Sequence, residues 1–294
     1  MSTSGRPASV RRRVRLARGP MTIGEPAAAI EPILAGGDPY RPDTIADGGT
    51  AFGLTVRAAS VRGLYKRYTG GPRQDDICLR LHADSGTLIA AVADGVSGAC
   101  RSDLGAALAV RYATATVARQ LDRDGLDWVG VFEQAAWALV VEHRRASGDG
   151  AAGVEESSQF LATTLLVATV RGSEVELAAV GDSPAFLLEG KDYDPIVSEP
   201  ERVDGLVGGG VAALPRSPGA VQVARRSLEP GAVLLLCTDG LAMPLAGGGG
   251  EVGATLAREL ARPPDVVDFA RLLDFSRSTY DDDRSLVAVW GPSQ

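Results

Sequence analysis

From residue 77 onward the chain alternates apolar runs of strand length with stretches of helical period. "ICLRLH" (77–82) switches between apolar and polar residues with period two, which predicts a half-buried strand. "GTLIAAVADG" (86–95) is almost unbroken in its apolar character up to Asp94, which predicts a strand covered on both faces. Two long helical patterns follow. The first starts at Ser102, a capping residue type, with Asp103 suited to the positive helix end, and runs to Leu121. The second runs from Trp128 through a basic end to Gly148. "SGDGAAGVEESS" (147–158) reads as a loop.

Strand patterns return at 162–170, 173–182 and 184–190, spaced as hairpins or a meander. A loop-rich stretch spans 191 to about 218. Strands at 221–228 and 232–240, helical stretches at 251–261 and 265–278, and a last strand at 285–290 complete the pattern. Strands are gathered and helices come in pairs between them. That order predicts an α+β sandwich, two sheets with helices outside, and not a doubly wound parallel sheet. Residues 1–50, rich in Gly, Pro, Ala and Arg, carry no steady period and are expected to form a disordered arm ahead of one folded domain over 51–294.

Composition narrows the function. The chain has 294 residues, 45% of them hydrophobic, and a net charge of -7. The acidic balance argues against nucleic acid as the partner of the folded part. Arg11, Arg12, Arg13, Arg15 and Arg18 lie in the N-terminal arm, which lacks the apolar block of a signal peptide. No apolar stretch approaches the ~20 residues of a membrane span, so a cytoplasmic protein is expected. Cys78, Cys100 and Cys237 are odd in number and form no CxxC pair, which points to reduced thiols and against a zinc site. His82 and His143 have no nucleophile motif beside them, so structural roles are expected for both.

The chemistry lies in the aspartates. Asp94, Asp182 and Asp239 each end an apolar run; Asp281, Asp282 and Asp283 precede the last strand; Asp75 and Asp76 precede the strand at 77–82. In a layered sheet fold such strand ends can converge on one edge. Clustered carboxylates raise one another's pKa, and divalent cations relieve the repulsion. Hard oxygen ligands favour magnesium, manganese or calcium over softer metals. Gly95 lets its backbone carbonyl approach a cation beside Asp94. Two such metals can activate a water for in-line attack on phosphorus.

"GGPRQDD", "AVADGVSG", "ATTLLVATV", "AVGDSPAFLLEG", "LLLCTDGL" and "DDRSLVAVW" stand in the order and spacing of the metal-dependent protein phosphatases of the 2C type. The chain resembles that family over residues 60 to 290, and most of all its compact bacterial members. The resemblance implies a four-layer αββα sandwich in which two central antiparallel sheets are flanked by helical pairs. It implies hydrolysis of phosphoserine or phosphothreonine in a protein substrate with two Mn²⁺ or Mg²⁺ ions, opposing a serine/threonine kinase. Matched by motif, Asp94 bridges both metals, the Gly95 carbonyl binds one, and Asp239 and Asp282 complete the ligand set of the other metal, with Asp282 taken from the Asp281–Asp283 run. Gln74 and Asp75 match the pair that holds metal-bound waters. Asp182, Thr163 and Thr164 match structural positions.

The chain departs from the family in three places. Gly70 stands where many members carry a phosphate-gripping arginine, and Arg67 or Arg73 is expected to substitute. Gln159, preceded by Glu155 and Glu156, and Met243 stand where relatives hold a third metal, so a third metal is not expected. The stretch 191–218 matches a variable flap expected to influence which phosphoprotein docks. The alternative reading is a non-catalytic member that binds a phosphoprotein or kinase, supported by the missing arginine alone.

Overall fold

The computed structural model describes residues 21–35, 41–123, 125–197 and 212–291. In chain order its elements are β1 (Met21–Thr22), β2 (Thr44–Ala51), β3 (Leu54–Val61), α1 (Leu64–Thr69), β4 (Asp76–His82) and β5 (Thr87–Ala93). The helices α2 (Ser102–Leu121), α3 (Trp128–Ser147) and α4 (Val154–Leu161) follow. Next come β6 (Leu165–Arg171), β7 (Glu174–Val180), β8 (Ala185–Glu189), β9 (Asp192–Val197), β10 (Gln222–Ser227) and β11 (Val233–Cys237). The chain closes with α5 (Asp239–Leu245), α6 (Glu251–Glu259), α7 (Val266–Leu273), β12 (Phe275–Ser276) and β13 (Arg284–Trp290).

Two antiparallel sheets form, in the orders β10-β7-β6-β5-β4 and β2-β3-β13-β11-β8-β9. The unbroken apolar run at 86–95 becomes β5, buried along its whole length. Its alternate residues serve two cores, because successive strand side chains point to opposite faces. Leu88, Ala90 and Val92 meet Leu234 and Val287 between the sheets. Ile89, Ala91 and Ala93 face the other way, against Val110 of α2 and Phe132 of α3. A third core packs Leu235 and Leu286 of the six-stranded sheet against Leu241, Leu256 and Phe269 of α5, α6 and α7. The four-layer αββα order expected from the sequence is the one observed, with three short helices rather than one pair on the second outer face.

Several elements differ from the sequence reading. The expected meander is only half present: β6 and β7 pair as a hairpin, but β8 joins the other sheet. Gly181, at φ +111, supports that change of direction immediately before Asp182. Part of the stretch expected to be loop forms α4, whose Glu156 side chain accepts the Gly153 N–H at its start. The domain starts earlier than residue 51. β1 pairs in parallel with β12, and β2 is the edge strand of the six-stranded sheet. The strand β2, "TIADGGTA", is polar and exposed along most of its length, so it carries no hydrophobic period to read. Residues 1–20 and 36–40 of the expected arm and residues 198–211 of the expected flap lie outside the described residues. Among the described residues, no helix is long and apolar enough to cross a membrane.

Candidate active site

The strand ends meet. Asp94 follows β5, Asp182 lies in the crossover from β7 to β8, Asp239 follows β11 in the first turn of α5, and Asp282 precedes β13. All four line one cleft of about 380 Å³, together with Lys66, Gln74, Gly95 and Arg216. Asp182, expected to be buried and structural, is half-buried and faces this cleft. Asp76 does not join them; its carboxylate accepts from Arg41 Nη1 at 2.6 Å.

Asp94 is held through its backbone. Its N–H donates to Thr164 Oγ1 at 3.1 Å, and its carbonyl accepts from the Thr164 N–H at 2.8 Å and Thr163 Oγ1 at 2.9 Å. Thr163 and Thr164 therefore work as positioning groups. Gly95 is cradled so closely that an added Cβ would lie 2.7 Å from the Ser102 carbonyl oxygen and 2.8 Å from that of Gln74. No side chain fits there. Gly240, directly after Asp239, is packed in the same manner on the Asp283 carbonyl.

The carboxylates repel one another. Burial first, then the charges of Asp75 and Asp239, push the Asp94 carboxyl well above the usual range. Burial and the Asp283 charge push Asp75 up to about 8. This shift persists although Thr238 Oγ1 and Ser285 Oγ each donate to Asp75 Oδ2 at 2.8 Å. Burial likewise raises Asp283, whose two oxygens accept the backbone N–H groups of Gly63 at 2.7 Å and Gln74 at 2.6 Å. Asp283 thus ties the start of α1 and the start of β4 to β13, while Asp282 beside it stays 61% exposed on the cleft.

The cation expected at this site is neither Arg67 nor Arg73. Arg67 donates to Asp43 at 3.0 and 2.6 Å and to Asp274 at 2.6 Å, and lies in a different groove. Arg73 is 1% exposed, with its guanidinium on Ser60 Oγ at 2.8 Å and on the Asp75 carbonyl. Lys66 does line the cleft, with its Nζ 3.2 Å from Asp282 Oδ1 and 3.7 Å from Asp283 Oδ2. Burial works against its charge, but Asp283 and Asp282 outweigh it and hold the ammonium above the ordinary lysine range. The sequence reading passed over Lys66. The available signal was Gly70, which has φ +77 and closes α1 as a C-terminal cap, so the cations before it belong to a helix. Successive residues on a helix point about 100° apart, and Lys66 and Arg67 cannot face the same wall.

His82 bridges Ser85 at 2.7 Å and Asp122 at 2.8 Å, and His143 stacks on Phe160; neither lines the cleft. The three cysteines are free thiols.

The donor set fits hard divalent cations. Asp94, Asp239, Asp282 and the Gly95 carbonyl offer oxygen alone. Gln74 Oε1, also at the cleft, is a buried acceptor without a protein partner. Among the described residues, no three His, Cys, Asp or Glu side chains already close around one point. Asp282 lies at the cleft with Oδ1 3.2 Å from Lys66 Nζ.

A family model described as protein phosphatase 2C matches residues 62–285. No curated protein sequence matches the chain. Solved structures share the fold. The serine/threonine phosphatase of S. agalactiae is 16% identical, with 81% of this chain and 99% of that one covered and a TM-score of 0.57. A bacterial serine phosphatase is 14% identical over 86% of this chain and 98% of that one, with a TM-score of 0.56. The catalytic domain of the serine/threonine protein phosphatase PstP, in complex with two manganese ions, is 20% identical over 80% of this chain and 97% of that one, with a TM-score of 0.54.

Proposed function

We propose that this chain, which belongs to the protein phosphatase 2C family, is a metal-dependent protein serine/threonine phosphatase that reverses the action of a protein kinase. The observation that carries the reading is the convergence of Asp94, Asp182, Asp239 and Asp282 on one cleft beside the cradled Gly95. Asp94, Gly95, Asp239 and Asp282 would hold two Mn²⁺ or Mg²⁺ ions. When bound, such ions supply Lewis acidity for the attack of water on phosphorus and offset the charge that develops in the transition state.

The chain's own residues do the rest. Thr163 and Thr164 fix the backbone of Asp94, and Gly95 and Gly240 allow the close approach of neighbouring chain segments. Gln74, whose unpartnered oxygen lies at the cleft, would accept a hydrogen bond from water there, and Asp75 next to it is oriented by Thr238 and Ser285. Lys66 is the group that would meet a phosphate oxygen, since an ammonium at a cleft mouth attracts a dianion. Its position at the cleft supports the catalytic reading over the non-catalytic one that the glycine at position 70 suggested.

The test is phosphate release from a phosphothreonine peptide with Mn²⁺, with EDTA, and with Asp239→Asn. Release that needs metal and falls by about 100-fold or more in the variant is the expected result. Release that continues in EDTA would overturn the reading.

A further inference from the structure

Among the described residues that line the cleft, Lys66 and Arg216 are the only cations. They are held differently. Lys66 is 13% exposed and tied to Asp282 and Asp283, so its charge is committed to the reacting end. Arg216 is 58% exposed, and its fork grips Glu155 of α4, with Nε 3.1 Å from one carboxylate oxygen and an Nη on the other. Glu155 is itself exposed.

The backbone beneath Arg216 is fixed. Leu214 exchanges both backbone hydrogen bonds with Thr163, at 3.1 and 2.9 Å, and the Ser217 N–H donates to Ala213 at 2.9 Å. Thr163 is the residue whose hydroxyl holds the Asp94 carbonyl. The guanidinium therefore stands on a rigid platform coupled to the site, while its partner is an exposed carboxylate on another element. Exposed pairs of this kind contribute about 0–1 kcal/mol, so a competing carboxylate can displace Glu155 at little cost. A guanidinium fork donates to one carboxylate as readily as to another.

We infer that Arg216 is a specificity-determining residue that reads an acidic side chain close to the phosphorylated residue of the substrate, with Glu155 as an internal stand-in for that carboxylate. The inference rests on the phosphatase reading and names its substrate class: phosphopeptides with a neighbouring Asp or Glu. An extended peptide advances about 3.3–3.6 Å per residue, so in a cleft of this size the reader reaches about three residues to either side. The four aspartates lining the cleft repel an acidic peptide, so without Arg216 the same peptide would be disfavoured.

The experiment uses pairs of phosphothreonine peptides that differ by Glu or Gln at one position, scanned across three residues on each side, with Mn²⁺ present. The readout is the ratio of kcat/KM for the Glu peptide to that for the Gln peptide, which cancels any general loss of activity in a variant. In the unaltered chain the ratio reaches about threefold or more at one position, the scale expected of a charge-assisted pair. Arg216→Gln brings it to one or below. Glu155→Gln raises it above the unaltered chain, because the internal competitor has lost its charge. A ratio of one at every position, a preference that survives in Arg216→Gln, or a ratio that falls in Glu155→Gln overturns the inference while leaving the phosphatase reading intact. Absence of hydrolysis of every peptide overturns that reading, and the inference with it.

Discussion

Freed of divalent cations, the protein should lose stability as the pH rises from 6 to 8. Asp75 is buried and titrates at about 8 in the folded chain, against 3.8 when unperturbed. Across that interval the folded state retains a proton that the unfolded chain has released. The folded state thus binds more protons, and the free energy of unfolding falls with pH. One retained proton contributes about 3 kcal/mol at pH 6 and less than about 0.5 kcal/mol at pH 8, so Asp75 alone removes about 2 kcal/mol across the window. Burial and the neighbouring charges shift Asp94 well upward in the same direction. Asp43 and Glu142 have lowered values, are ionised in both states throughout this range, and add no slope. The assay is urea unfolding in EDTA at pH 6, 7 and 8, followed by tryptophan fluorescence, since Trp128 and Trp290 are buried. Asp75→Asn, which cannot hold or release that proton, should give a flatter profile. Excess Mn²⁺ should restore stability most at pH 8, because cation binding requires the deprotonated carboxylates. A metal-free midpoint that is flat or rising between pH 6 and 8, or an Asp75→Asn profile as steep as that of the unaltered chain, would refute the reasoning.

Other outcomes follow from the same geometry. Lys66→Met should raise KM for a phosphopeptide by about tenfold or more while Mn²⁺ binding, followed by calorimetry, changes less, and Lys66→Arg should recover most of the loss; an unchanged KM would rule out contact with the phosphate. Gly95→Ala forces a Cβ against the Ser102 and Gln74 carbonyls, which should destabilise the protein by about 1–3 kcal/mol and weaken Mn²⁺ binding together. Arg67→Met removes three charged hydrogen bonds to Asp43 and Asp274. Both carboxylates are partly exposed, so a loss of about 1–2 kcal/mol in urea unfolding is expected, and less than about 0.5 kcal/mol would show that α1 is anchored elsewhere.

What the sequence made legible and what it hid divide along physical lines. A strand buried on both faces must be apolar throughout, and a carboxylate at its end interrupts the run, so Asp94 and Asp239 were readable from local composition. The crossover at Gly181 and Asp182 was not, because a short turn and a change of sheet look alike in sequence; only the pairing of β8 with β11 distinguishes them. The edge strand β2 was hidden for the opposite reason, since exposure erased its hydrophobic period. The cations were the hardest. Lys66, Arg67 and Arg73 stand within eight residues, and nothing local says which is enclosed by Ser60 and Pro42, which is clamped by Asp43 and Asp274, and which turns to the cleft.

The placement of those cations also explains why the site is short of positive charge. Arg73 directs its guanidinium at Ser60 and at the Asp75 carbonyl, leaving the Asp75 carboxylate to the neutral hydroxyls of Thr238 and Ser285. A guanidinium on that carboxylate would have lowered its pKa and balanced the charge from within. Arg41 is spent on Asp76 in the same way, and Arg67 on Asp43 and Asp274. The fold therefore routes three nearby arginines into structural contacts, and among the described residues the only cations left at the cleft are Lys66, beside Asp282, and Arg216, which is paired with Glu155. Under the proposed function that deficit is the binding energy for divalent cations: an arginine placed against Asp75 or Asp94 would stabilise the metal-free protein and weaken the site's hold on metal.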